Sequence, residues 1–259
     1  MKKRVISAVI MILLLVPILI IGGYPYIILM ALLGLLGLKE LLNLEDDIPL
    51  FFKVCSYLFT LFLILSNCKD TTINFLLNDK VMLSIWLFYF ISIVLINNKK
   101  YQFKDSIYLI LITMFIGISF KGFIIVRNIG IYEIAYLFLI ASLTDTFALF
   151  SGKYFGKRKL SAISPKKTIE GSVGGSIIGT VLSSIIYVSL TGAWDRIWFF
   201  LGVSLVLSVL GQIGDLFFSS IKRYYKLKDF SDLIPGHGGI LDRLDSVIFI
   251  LLGYIIILM

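Results

Sequence analysis

Four aspartates lie inside, or at the start of, long apolar segments, where a charge is costly. Asp145 is near the end of one segment, Asp215 lies within a later one, and Asp242 and Asp245 open the last one. A carboxylate at membrane depth costs about 2.5–3.5 kcal/mol on insertion scales, so it is expected to face protein, water or a cation. Because Asp242 and Asp245 are three residues apart, they share one face of a helix.

Carboxylates that gather in one site repel one another unless positive charge lies between them. Oxygen-rich sites suit Mg²⁺, which keeps several waters and bridges to substrate phosphates. The structural alternative is that Asp242 pairs with Arg243 or a nearby lysine and that Asp145 sits at a helix interface. Four aspartates on one membrane face, beside basic glycine-containing loops, favour the functional interpretation.

A basic segment, Ser164–Gly171, precedes one of the apolar segments and reads SPKKTIEG, followed by Val173-Gly174-Gly175. Lysines and free backbone N–H groups near a helix N-terminus attract anions. We therefore predict phosphate contacts for Lys166 and Lys167. The Gly-x4-Gly-Lys-Ser/Thr spacing of a Walker P-loop is absent. The neighbouring basic residues are interpreted as signals of membrane orientation: Lys157, Arg158 and Lys159.

The composition indicates what kind of protein must position these residues. Of 259 residues, 59% are hydrophobic and 15% charged, and the mean hydropathy is +0.98. A soluble domain carries about 25% charged residues, so lipid must be the solvent for much of this surface. The net charge of +8 fits basic cytoplasmic loops better than nucleic-acid binding. A single histidine, His237, excludes a multi-histidine metal site.

The predicted fold class is all-α, a polytopic transmembrane bundle of about nine spans with a cytoplasmic N-terminus. Each span needs about 20 apolar residues. Residues 1–130 would form N-terminal helices and residues 131–259 a catalytic half, and the first apolar segment is interpreted as a retained helix. The predicted spans are 5–22, 25–44, 50–67, 75–96, 106–126, 131–150, 171–191, 196–220 and 240–258.

The lysines and arginines set the predicted orientation. With the N-terminus inside, most of them fall in the inner loops, as the positive-inside rule requires. Segments 151–170 and 221–239 then both face the cytoplasm. We expect a multi-pass protein of the cell (inner) membrane with its active site on the cytoplasmic side.

The most specific feature is the segment 219–245. It contains Lys222-Arg223, then Lys228-Asp229-Phe230-Ser231, then the run from Leu233 to Asp245, LIPGHGGILDRLD. It resembles the signature of the phosphatidate cytidylyltransferase (CDP-diacylglycerol synthase) family, as do Asp145–Gly156, Ser164–Gly171 and Gly214-Asp215. The resemblance covers at least residues 145–245. One departure is Leu149, where family members often carry tyrosine.

The resemblance implies transfer of the cytidylyl group of CTP to phosphatidic acid, releasing pyrophosphate. It implies that Asp215, Asp242 and Asp245 bind Mg²⁺, with room for a second cation, and that Asp145 supports the site or contacts the nucleotide. His237 would contact substrate or act as a structural hydrogen-bonding group. The residues implied to hold phosphates are Lys166, Lys167, Lys222 and Arg223, with Arg243 holding a phosphate or balancing the aspartates.

The expected partners are CTP, phosphatidic acid and membrane lipids, with no nucleic acid. The oligomeric state is open, and a homodimer is one possibility.

Two other functions are compatible with parts of the sequence. Intramembrane aspartates also occur in cation-coupled transporters, although paired repeats are not evident here. A related CTP-dependent enzyme could use a polyprenol or another lipid acceptor.

Overall fold

The structure is a computed structural model that describes residues 2–45, 48–66, 84, 87, 89, 91, 103–234, 236 and 238–258, without the side chains of residues 2–10 and 12. The predicted span 75–96 falls almost wholly outside the described residues. His237, one of the predicted site residues, also lies outside them.

The described residues are almost entirely helical, which confirms the all-α prediction for this part of the chain. Two isolated β-bridges, Lys159–Thr168 and Ile234–Gly238, are the only extended pairings within it. A short 3-10 turn, Trp194–Arg196, lies directly before the helix that begins at Ile197. The helices are α1 (Lys2–Ile21), α2 (Gly23–Leu42), α3 (Leu50–Leu65), α4 (Phe103–Ile129), α5 (Ile131–Phe155), α6 (Ile169–Thr191), α7 (Ile197–Tyr224) and α8 (Leu241–Leu258).

Among the described residues, five helical stretches are long and apolar enough to cross a membrane. Their length and composition indicate a helical membrane protein, whereas the count of nine spans and the orientation of the N-terminus stay predictions. Several helices extend beyond the predicted apolar segments, because polar residues continue their last turns. The five stretches are Gly23–Leu42, Phe103–Ile129, Ile131–Phe155, Ile169–Thr191 and Trp194–Tyr224.

The chain divides into two compact units. Unit 1 comprises Met1–Ile125 and Ser231–Ile240, and unit 2 comprises Val126–Phe230 and Leu241–Met259. In unit 1, Gly34 on α2 allows a close approach of neighbouring helices. A Cβ added there would lie 2.7 Å from the Ile64 side chain and 3.1 Å from that of Phe120.

In unit 2, helices α5 and α6 pack through a small-residue interface. On α6, Gly171, Gly175 and Gly179 recur every four residues and face Ala148 and Thr144 of α5. A Cβ added at Gly175 would lie 2.7 Å from both the Cβ and the backbone N of Ala148. These glycines therefore serve helix packing of the small-xxx-small kind, which their association with a phosphate loop in the sequence did not reveal.

Polar side chains of α5, α6 and α7 meet inside unit 2 along a line that we call the hydroxyl seam: Thr144, Ser176, Ser208 and Gln212. The Thr144 hydroxyl donates to Ser208 Oγ at 3.0 Å, and the Ser208 hydroxyl donates to Ser176 Oγ at 3.1 Å. The amide of Gln212 donates to Ser176 Oγ at 2.7 Å. Buried hydroxyls need such partners, and bonds of this kind join transmembrane helices by about 0.6–2 kcal/mol each.

The glycine interface predicts that Gly175→Ala lowers stability, because the new methyl group would overlap backbone that cannot move easily. Overpacking of this kind costs roughly 1–3 kcal/mol. The matched control is Gly202→Ala in α7, where nothing lies within 4 Å of an added Cβ. There we expect no loss, or a gain of up to about 1 kcal/mol from helix propensity. Thermal unfolding of both variants in the same detergent measures the difference, and equal midpoints would contradict the packing assignment.

Candidate active site

A buried ion pair joins α7 to α8 in unit 2. Lys222 Nζ lies 2.7 Å from Asp242 Oδ1, and the two side chains are only 11% and 3% exposed. The other oxygen, Asp242 Oδ2, accepts the backbone N–H of Phe230 at 2.8 Å. The Lys222 ammonium also lies 5.3 Å from the centroid of the Phe230 ring. Both oxygens of Asp242 are thus engaged, as a buried carboxylate requires.

The end of α7 directs the chain toward this pair. Leu227 N–H donates to Lys222 O at 2.8 Å and Lys226 N–H to Arg223 O at 3.0 Å, while Lys226 has a φ of 56°. This is the Schellman pattern of a helix C-terminus. It turns the chain directly after the two basic residues of α7. Arg223, a predicted phosphate ligand, is exposed and donates to Leu227 O at 3.0 Å, so it caps this turn.

The Ser164–Gly171 segment completes a short hairpin before α6. Leu160 N–H donates to Lys167 O at 2.8 Å, and Thr168 Oγ1 accepts the Gly171 N–H at 3.1 Å, which caps α6. Glu170 Oε2 accepts the N–H groups of Lys157 at 3.0 Å and Arg158 at 3.1 Å. Thr168 and Glu170 therefore fix the loop. Neither role was predicted from the sequence, although threonine is a usual N-cap residue.

This hairpin places Lys167 against the acidic residues. Its ammonium forms an ion pair with Asp215 Oδ2, and Ser219 donates to Asp215 Oδ1 at 3.3 Å. Burial lowers the pKa of Lys167, while the carboxylates of Asp145 and Asp245 raise it. Lys167 thus pairs with Asp215 and lies within electrostatic range of Asp145 and Asp245.

A cavity of about 570 Å³ opens beside Lys167, within the usual size range of small-molecule sites. Four of the predicted residues line it, and its wall also includes polar residues that were not predicted. Of these, Gln212 and Ser172 continue the hydroxyl seam to the cavity, and Lys153 adds a cation. The lining residues are Asp145, Ala148, Leu149, Gly152, Lys153, Leu160, Lys166, Lys167, Thr168, Ser172, Gln212 and Asp215.

The remaining predicted residues lie near the start of α8. Asp245 Oδ1 accepts the Ser246 N–H at 2.7 Å, and Arg243 is exposed. No three histidine, cysteine, aspartate or glutamate side chains among the described residues lie close enough together to form a metal site. Instead, Lys167 neutralises Asp215 and Lys222 neutralises Asp242. The acidic groups offer only hard oxygen donors, which fit Mg²⁺ rather than a softer metal.

Comparison with known proteins finds matches along almost the whole chain. A family model described as the cytidylyltransferase family matches residues 2–259. A phosphatidate cytidylyltransferase of Staphylococcus haemolyticus (strain JCSC1435) is 36% identical over 256 residues, which cover 97% of this chain and 96% of the relative. Those of Staphylococcus aureus (strain COL) and Staphylococcus epidermidis (strain ATCC 12228) are also 36% identical, with the same coverage. The chain therefore belongs to the cytidylyltransferase family.

Proposed function

We propose that the protein transfers the cytidylyl group of CTP to phosphatidic acid, giving CDP-diacylglycerol and pyrophosphate. The observation that carries the proposal is the 36% identity, over 97% of the chain, to enzymes named phosphatidate cytidylyltransferase. The gathering of Lys167 with Asp145, Asp215 and Asp245 beside a cavity in unit 2 supports it.

The reaction needs positioning and charge stabilisation more than proton transfer. A phosphate oxygen of phosphatidic acid, already anionic at neutral pH, attacks the α-phosphorus of CTP. A bond forms between them, and the bond from the α-phosphorus to the bridging oxygen breaks as pyrophosphate leaves. Lys166 and Lys167 at the cavity wall would hold phosphate groups, because ammonium groups stabilise such charge in a partly buried site.

We further propose that Asp215, Asp242 and Asp245 hold Mg²⁺, with Asp145 completing the acidic set and leaving room for a second cation. Bound there, Mg²⁺ would offset phosphate charge and favour the leaving pyrophosphate. The ammonium groups already paired with Asp215 and Asp242 support the idea that these carboxylates accept positive charge at this position.

The proposed membrane arrangement has about nine spans, a cytoplasmic N-terminus and an active site at the inner leaflet of the cell (inner) membrane. Within unit 2, the hairpin that carries Lys167 and the turn that follows Lys222 lie at the same end of the helices, because Lys167 pairs with Asp215 of α7 and Lys222, two turns later on α7, pairs with Asp242. This supports one polar face for segments 151–170 and 221–230. A homodimer stays a prediction.

Family membership favours an enzyme over a transporter, and the acceptor lipid is the point to test. Purified protein with Mg²⁺ and cytidine-labelled CTP should move label into the organic phase only when phosphatidic acid is present. Pyrophosphate should appear in equal amount, and a chelator should stop both. A polyprenyl phosphate in place of phosphatidic acid serves as the comparison, and equal labelling with it would overturn the proposed acceptor.

The ion pair of α7 and α8 predicts different behaviour for two neighbouring aspartates. Asp242→Asn should lower stability, since breaking a buried pair costs about 3–5 kcal/mol. Asp245→Asn should fold normally, because an amide oxygen can still accept the Ser246 N–H, but its turnover should fall roughly 100-fold or more.

The double variant Lys222→Met/Asp242→Asn provides the control for this prediction. With neither charge left, it should regain most of the thermal stability that Asp242→Asn loses. It should stay inactive if Asp242 acts in the reaction. Recovery of turnover together with stability would restrict Asp242 and Lys222 to a structural role.

The proposed orientation predicts which loops an impermeant thiol reagent reaches from outside intact cells. In a background with Cys55 and Cys68 replaced by serine, cysteines at Lys157 and Lys228 should resist the reagent, and one at Asp195 should react. All three side chains are exposed, and Lys228 avoids the left-handed backbone of Lys226. Labelling at Lys157 and Lys228 with protection at Asp195 would invert the arrangement.

A further inference from the structure

The carboxylate of Glu40, on α2 in the N-terminal half of the chain, is buried in unit 1 with only 4% of the residue exposed. Its Oε1 accepts the Ser231 hydroxyl at 2.7 Å and the Ile240 N–H at 2.8 Å. The two donors are 191 and 200 residues away in sequence. A buried carboxylate is costly unless it is hydrogen-bonded, so these contacts must persist for Glu40 to remain in place.

Glu40 thereby forms hydrogen bonds with both ends of one segment, Ser231–Ile240, which we call the signature loop. Inside it, Ile234 and Gly238 exchange backbone hydrogen bonds of 2.9 and 3.2 Å. Gly236 and Gly238 have φ values of 79° and 83°, which favour glycine. Gly239 lies so close to Glu40 that an added Cβ would overlap the carboxylate. The loop is thus a hairpin whose two ends meet at a single anion.

The chain on either side of the signature loop belongs to the candidate active site. Phe230, the residue before it, donates its N–H to Asp242 Oδ2 at 2.8 Å. Leu241, the residue after it, begins α8, which carries Asp242 and Asp245. Because Phe230 and Leu241 are covalently joined to the two ends of the loop, a displacement of either end would also displace one of these two residues and so alter the position of Asp242.

We propose that Glu40 is a positioning residue for the reaction: it fixes the ends of the signature loop and, through them, the placement of Asp242. The inference rests on the proposed function and gives the N-terminal half a part in it. This positioning requires an acceptor oxygen at residue 40, because both hydrogen bonds are donated to it. The negative charge contributes by strengthening the two hydrogen bonds, since bonds to ionised acceptors are stronger than neutral ones.

The test compares Glu40→Ala, Glu40→Gln and Ser231→Ala with wild type in reconstituted vesicles, with rates divided by the amount of folded protein. Misplacement of a reacting group by about 1 Å can cost roughly 100-fold, so kcat of Glu40→Ala should fall by roughly 10–100-fold. Glu40→Gln keeps an acceptor oxygen and should retain most turnover, and Ser231→Ala should lie between them. The control is Asp195→Asn, an exposed carboxylate with 77% of its side chain accessible, which should behave as wild type.

A second set of variants tests the contact between Glu40 and the signature loop from the loop side. Gly239→Ala should lower kcat because its methyl group pushes against Glu40, and the same change should cost little more once Glu40→Ala has removed the carboxylate. Such non-additivity is expected of residues in direct contact. Independent, multiplying losses would overturn the proposal.

Activity per folded molecule separates positioning from a merely structural role. Wild-type kcat and KM for CTP in folded Glu40→Ala would refute the inference, as would a loss fully explained by a smaller folded fraction. Neither result would touch the proposed function, whose own failure would show as absent lipid-dependent labelling in wild type.

Discussion

The buried pair of Lys222 and Asp242 is the constraint on which the candidate active site depends. Neither charge is stable alone at its degree of burial, because desolvation would exceed any remaining gain. The pair therefore fixes the register of α7 against α8. It also requires the chain to turn at once after Arg223, since Phe230 must supply the N–H for the second oxygen of Asp242. The helix-ending turn and the adjoining loop follow from this requirement.

Positive and negative side chains alternate in the candidate site, which lowers the cost of gathering so many charges in an apolar protein. Lys167 lies among Asp145, Asp215 and Asp245, just as Lys222 lies against Asp242. Before any substrate binds, each carboxylate that faces the site has a nearby cation. In the proposed reaction, anionic substrates and Mg²⁺ would bring both signs together and would leave no resident charge uncompensated.

Local sequence patterns predicted much of this arrangement. Apolar length identified the helices, and the cost of charge in lipid singled out the aspartates. Lys167 was predicted to hold phosphate, and its pairing with Asp215 was not predicted. The pair of Asp242 and Lys222 matches the structural alternative of a nearby lysine. The pattern could not show that Gly171, Gly175 and Gly179 pack a helix, because glycines beside lysines also suit phosphate. The phosphate role that the resemblance implied for Arg223 stays a prediction, and in the structure its guanidinium donates to the carbonyl of Leu227. Glu40 was missed since its partners are 191 and 200 residues away, and no local period encodes such a contact.

The hydroxyl seam has a consequence for biogenesis. Ser176 of α6 forms hydrogen bonds with Ser208 and Gln212 of α7, which are synthesised 32 and 36 residues later. When α6 has been synthesised and α7 has not, neither of these partners of Ser176 is present. A serine hydroxyl can bond to a carbonyl of its own helix, and the arrival of α7 then exchanges that bond for interhelical ones. Insertion of α6 and its final docking are therefore separate events, and the second awaits the emergence of α7.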